Sequence, residues 1–317
     1  MRIHSCIFVL VLAVSTLYAQ PASTLSNPSR SGILLLAYGG RVETWNEEVR
    51  HVADQVDLEI PTEVAFGIAN RATLQSAVDR LVHRRVTEIV AVPLFVSSHS
   101  SVADCQAYML GLRSAMPPDL KDFVAMEQGA SSAQNGANSA EAADDMKPIH
   151  APVPIRMTAA LNAHPLVAEI LADRAASVSK DPAQEVVILV AHGPVTDDEN
   201  KLWLEDMGKL ADRMRTRTNY AAIEYLTLRD DADAPVRDAA TAELRRKVEE
   251  ATKSNRAVLI VPLLLSYGGI EVELRHRLDG LSYRIPSQAL LPDARIAGWV
   301  LSTARGNAAE VATKTMP

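Results

Sequence analysis

The feature that most restricts this chain of 317 residues is that it says the same thing twice. Leu34-Leu-Leu-Ala-Tyr-Gly39 recurs as Ile188-Leu-Val-Ala-His-Gly193, and seven residues past each glycine stands an asparagine, Asn46 and Asn200. Further on, Ile89-Val-Ala-Val-Pro-Leu94 recurs as Val258-Leu-Ile-Val-Pro-Leu263, with Ser97 and Ser266 following. Any two buried strands of Val, Leu and Ile look alike, but the shared glycine, asparagine and Val-Pro-Leu come in matching order. A repeat of so long a period marks a duplicated domain rather than a solenoid. The length then divides into two related units of ordinary domain size instead of one large one.

Each unit reads as α/β. In the first, apolar runs predict strands at 32–37, 63–68 and 87–96, and helical periodicity predicts helices at 45–57, 74–85 and 102–114. The second predicts helices at 165–178, 200–215, 236–252 and 270–278, strands at 185–191, 222–228 and 257–265, and a last strand and helix around 289–304. Strands alternating with helices imply a parallel sheet with crossover helices. Residues 129–145, rich in Ala, Ser, Asn and Gly, break the rhythm and read as a flexible linker. The expected organisation is a leader at 1–19, a first domain at 32–127, a linker at 128–151 and a second domain at 152–307.

Composition supports this and removes other classes. With 48% hydrophobic and 22% charged residues the chain is globular. Only 4% aromatics and a net charge of −7 argue against a nucleic-acid surface, which needs clustered cations and stacking rings. Arg2 and His4 precede an apolar run at 7–14 and small residues before Gln20, the pattern of a cleaved export signal, too short for a stable membrane span. Export to the periplasm or medium is therefore expected. Of the two cysteines, Cys6 lies in the leader, so only Cys105 would remain and no intramolecular disulfide could form.

Chemistry in an open parallel sheet sits beyond the carboxyl ends of the strands. Those ends carry Tyr38-Gly39-Gly40, Ser97-Ser98-His99, His192-Gly193 and Ser266-Tyr267-Gly268-Gly269. A histidine at a strand tip can ligate a metal or act as a base through its neutral imidazole. Other motifs are weak. There is no G-x-G-x-x-G and no P-loop, neither serine cluster sits at a nucleophile elbow, and Cys105 beside Asp104 is poorly placed for a lowered thiol pKa. His51, His83 and His276 read as helix-surface residues.

Taken together, Val190-Ala-His192-Gly193, Asn200 at the next helix, Ile260-Val-Pro-Leu-Leu264 with its glycine-rich exit, and Leu161-Asn-Ala-His-Pro165 resemble the class II tetrapyrrole chelatases in their long, duplicated form. That family inserts cobalt or iron into sirohydrochlorin. The resemblance implies two chelatase-like domains, each a parallel sheet flanked by helices, facing each other across a cleft. It implies Co²⁺ or Fe²⁺ and a tetrapyrrole as partners, and a place in cobalamin or sirohaem synthesis. Family members hold the metal with two histidines of one half, and here the sequence departs. Tyr38 stands at the first-strand position of the first half, and no histidine lies in Tyr267-Gly268-Gly269-Ile270 of the second. The family's acidic residue is not evident either, the nearest groups being Asp230 and Asp231. A composite centre is therefore expected, with His99 and His192 as metal ligands and catalytic groups and Glu271 as a further ligand. Tyr38, Tyr267, Arg41 and Lys201 would contact the tetrapyrrole, with Arg71 and Arg229 as further cations for its carboxylates. The alternative is an exported protein that binds metal or tetrapyrrole without catalysis.

Overall fold

The computed structural model describes residues 30–40, 42–132 and 145–306. The leader, Cys6, Arg41 and the middle of the expected linker lie outside the described residues. The first half runs β1 (Ser31–Ala37), α1 (Glu43–Asp57), β2 (Thr62–Phe66), α2 (Arg71–His83), β3 (Glu88–Pro93), α3 (Ser101–Met109), α4 (Leu120–Ser132) and β4 (Ile155–Met157). The second runs α5 (Pro165–Val178), β5 (Glu185–Ala191), α6 (Asp197–Arg215), β6 (Ala222–Thr227), α7 (Ala234–Lys253), β7 (Ala257–Leu263), α8 (Ile270–Arg277) and α9 (Ala294–Arg305).

Both sheets are parallel, in the orders β2-β1-β3-β4 and β6-β5-β7, so the shared three-strand order matches the sequence repeat. The central strands are continuous apolar runs because both of their faces are covered. Alternate residues of β1 and β5 sort into different cores, as the two-residue period of a strand requires. Ile33, Leu35 and Ala37 join Val187, Leu189 and Ala191 in one core between the sheets. Leu34 and Leu36 face an outer core with α2, α3 and α4, whereas Ile188 and Val190 face another with α7 and α8. The inner layer consists of α1 and α9 against the first sheet and α5 and α6 against the second.

Three boundaries differ from the expectation. Residues 155–157 add the edge strand β4 to the first sheet, whose β3 otherwise leaves backbone groups unpaired; Ile89 N–H, for instance, donates to Pro154 O at 2.9 Å. Residues 128–132 of the expected linker complete α4, and Ile149 is buried in the first half's outer core. The C-terminal helix α9 crosses back onto α1 and β3, burying Ile296, Trp299, Val300 and Leu301. Arg305 of that helix pairs with Glu59 at 2.5 Å. No strand forms near residue 289; Leu290 and Leu291 only donate to Leu264 O and Leu265 O, continuing the line of β7. Among the described residues no helix is long and apolar enough to cross a membrane.

One buried charge anchors the start of β5. Glu185 is 1% exposed and accepts from the Lys180 and Asp181 N–H groups at 2.8 and 3.1 Å, from Ser179 and from Arg284. Burial alone would push its carboxyl up, but these donors outweigh it and hold the pKa at about 2. A depressed folded pKa contributes stability above the unfolded value of 4.5, lost as pH falls towards about 2. Glu185→Gln should therefore cost on the order of 3 kcal/mol at neutral pH. Urea unfolding at stepped pH should also show much of the acid destabilisation between those two values gone.

Candidate metal centre at the strand ends

The site is built where β5 and β6 end. Gly193 turns the chain at φ +78°, and a Cβ there would stand 2.5 Å from Thr227 Cβ, so only glycine lets β5 pass so close to β6. Thr227 is held in turn, donating its hydroxyl to Asn200 Oδ1 at 2.6 Å. The first half repeats the bend at Gly39, φ +82°, but uses its asparagine otherwise. Asn46 there accepts from Gly40 N–H at 2.8 Å and donates to Gly40 O at 3.0 Å.

His192, just before this turn, has Nδ1 2.9 Å from Gly193 O. A carbonyl can only accept, so Nδ1 carries a proton and Nε2 is the ring atom left to face other groups. That atom lies 3.5 Å from Asp231 Oδ2 and 4.0 Å from Asp230 Oδ2. The acidic residues missing from the strand itself are thus supplied by the loop after it. The loop is fixed by Arg229, at φ +58°, whose backbone N–H donates to His192 O at 2.8 Å and whose Nε donates to Pro194 O at 2.7 Å. Arg229 also pairs with Asp197 at 3.0 Å and is only 7% exposed, so it ties loop to strand and is not a free cation for an anionic ligand. Burial pushes the Asp230 carboxyl above the usual range, and Arg277 and His192 offset this only in part. Asp230 Oδ2 is buried and accepts no hydrogen bond.

Tyr38 of the first half faces the same region. Its ring packs on Phe95 with centroids 4.6 Å apart. Burial above all, with the Asp231 and Glu199 carboxylates of the other half, pushes its hydroxyl up to about 12, although Ser100 beside it works the other way. Tyr38 therefore stays protonated and can donate a hydrogen bond, but does not act as an anionic ligand at neutral pH.

His99 goes elsewhere. Its Nε2 lies 3.3 Å from Asp206 Oδ2 on α6, its N–H donates to Ser97 Oγ at 3.0 Å, and its carbonyl accepts from Trp203 Nε1 at 2.7 Å. Burial would raise the Asp206 pKa, but His99 and Lys209 together hold it below the usual range. The two imidazoles engage different carboxylates. Among the described residues no group of three or more His, Cys, Asp or Glu side chains closes around a metal-sized point. The expected centre of His99, His192 and Glu271 is not assembled in this structure, and His99 ties the halves together.

The remaining expected residues divide. Glu271 Oε2 accepts from the Gly268 and Gly269 N–H groups at 3.0 and 2.9 Å, which caps the start of α8 rather than facing His192. Tyr267 donates to Pro286 O at 2.9 Å, and burial pushes its hydroxyl up to about 12. Lys201 is exposed on α6 and lines a shallow cavity of about 440 Å³ with Asp197, Asn200 and Tyr225. Arg71 lines a separate depression with Glu63 and Arg80. The Cys105 thiol is buried and pushed up to about 12, so it is inert. Sequence reasoning missed Asp206 and Arg277, which reach their partners from distant helices and leave no local signal.

Comparison with known proteins agrees with this architecture. Residues 32–178 match the model of the CbiX family. SirB from Bacillus subtilis, solved with Fe³⁺, superposes with a TM-score of 0.56 at 16% identity, over 87% of this chain and 94% of SirB. The sirohydrochlorin chelatase SirB from Bacillus subtilis subspecies spizizenii, solved with cobalt, gives 0.51 at 14% identity over the same shares. DR2241 from Deinococcus radiodurans, a multi-domain protein with structural similarity to chelatases and two additional domains, gives 0.53 at 19% identity. That match covers 89% of this chain but 56% of DR2241, so the chain spans little more than half of that protein's length. No curated protein sequence matches the chain. The resemblance read from the sequence and the α/β fold with two chelatase-like sheets are both borne out.

The Gly193 turn is directly testable. Gly193→Ala forces a positive φ on a residue with a Cβ and pushes that atom into Thr227. It should cost about 2–3 kcal/mol in denaturant unfolding. Gly280→Ala, also at positive φ but with open space around its Cβ, should cost measurably less.

Proposed function

We propose that this chain, a member of the class II chelatase family, binds Co²⁺ or Fe²⁺ at His192, Asp230 and Asp231 and passes it to a sirohydrochlorin-type tetrapyrrole. The observation that carries the reading is His192 Nε2 facing two carboxylate oxygens at 3.5 and 4.0 Å. An imidazole nitrogen beside two anions is favourable only with a proton or a metal cation between them, and a divalent ion can take the proton's place. Two donors each about 2.0–2.2 Å from one ion lie roughly 3–4.4 Å apart. One nitrogen and two oxygens suit borderline divalent ions; the three do not converge on one metal-sized point in this structure, so binding requires the exposed Asp231 side chain to swing in.

Insertion asks little covalent chemistry of the protein. The metal must be held and then released, and two protons must leave the pyrrole nitrogens. Gly193 O fixes the His192 ring in the tautomer that presents Nε2. Asp231, with its side chain 72% exposed, is the carboxylate best placed to take a proton to solvent. Tyr38, protonated and half-buried on the other side, offers a hydrogen bond and a flat ring edge.

A second reading has its own support. Asp197, Asp198 and Glu199 open α6 beside the site, whereas Arg229 and Arg277 are committed to Asp197 and Asp230. That rim attracts metal cations more than a polycarboxylate macrocycle, which favours a metal-binding protein without insertion activity.

Titration with Co²⁺ followed by calorimetry tests the site. His192→Ala should weaken binding by at least about tenfold and Asp231→Asn by several-fold. His99→Ala should leave affinity within about twofold; an equal loss in both histidine variants would restore the composite centre. Faster Co²⁺ insertion into sirohydrochlorin with the native protein than with His192→Ala supports the chelatase, and stoichiometric binding without acceleration supports the second reading.

A further inference from the structure

Arg277, the last residue of α8, closes a distant part of the chain onto the loop that carries both carboxylates. Its side chain is 8% exposed. One guanidinium nitrogen, Nη2, is paired with Asp230 Oδ1, and the other, Nη1, donates to Leu228 O at 3.1 Å. The fork therefore spans the loop from its first carbonyl to its first carboxylate. Nε lies 3.6 Å from Glu273, too far for a good hydrogen bond, so both bonds of the guanidinium go to this loop. The end of α8 is itself held, because Arg245 donates to Arg277 O at 2.7 Å and to Asp279 O at 3.0 Å.

The Asp230 carboxylate is thereby divided. Oδ1 is taken by Arg277, whereas Oδ2 is buried, accepts nothing and lies 4.0 Å from His192 Nε2. A carboxylate held by one oxygen on a fixed guanidinium cannot rotate to offer both oxygens to a metal. We propose that Arg277 is a positioning residue for metal binding: it clamps Asp230 by one oxygen so that the other faces His192 as a single-oxygen ligand. This rests on the reading of His192, Asp230 and Asp231 as the metal site. Its consequence is a site that holds a divalent ion through Asp230 without wrapping it, as a protein that must give the ion away requires. A lysine in its place is a point charge without the fork, so it keeps the charge but not the orientation.

The test is a double-substitution cycle on the full chain, read by Co²⁺ affinity, by the visible absorption of bound Co²⁺, and by thermal unfolding. Arg277→Met should weaken Co²⁺ binding by about 10–100-fold and change the visible spectrum as Asp230 turns away. Arg277→Lys should recover part of the affinity. In an Asp230→Asn background, Arg277→Met should weaken binding no further, because its effect passes through Asp230. That pair also removes the uncompensated buried carboxylate, so it remains measurable if Arg277→Met alone folds poorly. Wild-type affinity and spectrum in Arg277→Met, or fully additive losses in the cycle, would overturn the proposal. If His192→Ala binds Co²⁺ as well as the native chain, the metal site itself is wrong; if it does not but the Arg277 variants bind normally, only the positioning role fails.

Discussion

Two tryptophans hold the strand ends of the halves against one another, and that register brings Tyr38 of the first half towards the carboxylates of the second. Trp45 on α1 lies against the glycine-rich exit of β7, so close that a Cβ on Gly268 would sit 3.1 Å from its ring. Trp203 on α6 reaches the other way and donates to His99 O beyond β3. Each helix belongs to one half and is bonded to the other. Ser266 donating to Glu48 of α1, and His99 paired with Asp206 of α6, repeat the exchange in polar form. Because these helices also fill the shared core, neither sheet can tilt without opening apolar surface. Tyr38 is thereby fixed opposite Asp231 and Glu199, although they lie in different halves.

The charge balance follows from this geometry. A net charge of −7 suggested that an anionic ligand would need a basic cleft. Among the described residues, three arginines near the strand ends are consumed locally. Arg229 pins the acidic loop to β5, Arg277 holds Asp230, and Arg174 donates to the carbonyls of Ala289, Leu290 and Pro292. Their work is to hold backbone and carboxylates in place. Among the described residues, Asp197, Asp198, Glu199 and Asp231 outnumber the cations near His192, which suits a cation as the first ligand to arrive.

Much of this was legible in the chain. β1, β3, β5 and β7 were readable because a strand buried on both faces has no choice but a continuous apolar run. Gly193 and His192 were readable as a polar exit from such a run. What escaped were the additions at the sheet margins. β4 has three residues and no periodicity, α4 continues into a segment whose composition suggests a linker, and α9 returns to a sheet far away in sequence. The partners of the site escaped for the same reason. Asp230 and Asp231 lay just past a strand and could be noted, whereas Arg277 meets Asp230 across 47 residues and Asp206 meets His99 from another half. Pairing at such separations is decided by how sheets and helices stack, and no local pattern encodes it. His99 and Glu271 show the converse: residue types suited to a metal were drawn into a tie and a helix cap.

The return of α9 to the first half also sets an order of events during synthesis. The first sheet can pair β1, β2 and β3 as soon as they emerge, but the inner face of α1 and β3 stays uncovered until residues 294–305 arrive. The first half thus waits for residues 294–305 before its apolar surface is sealed. Completion of the first half is tied to completion of the second, so a chain that stops short of α9 is left with an open apolar seam rather than one finished domain.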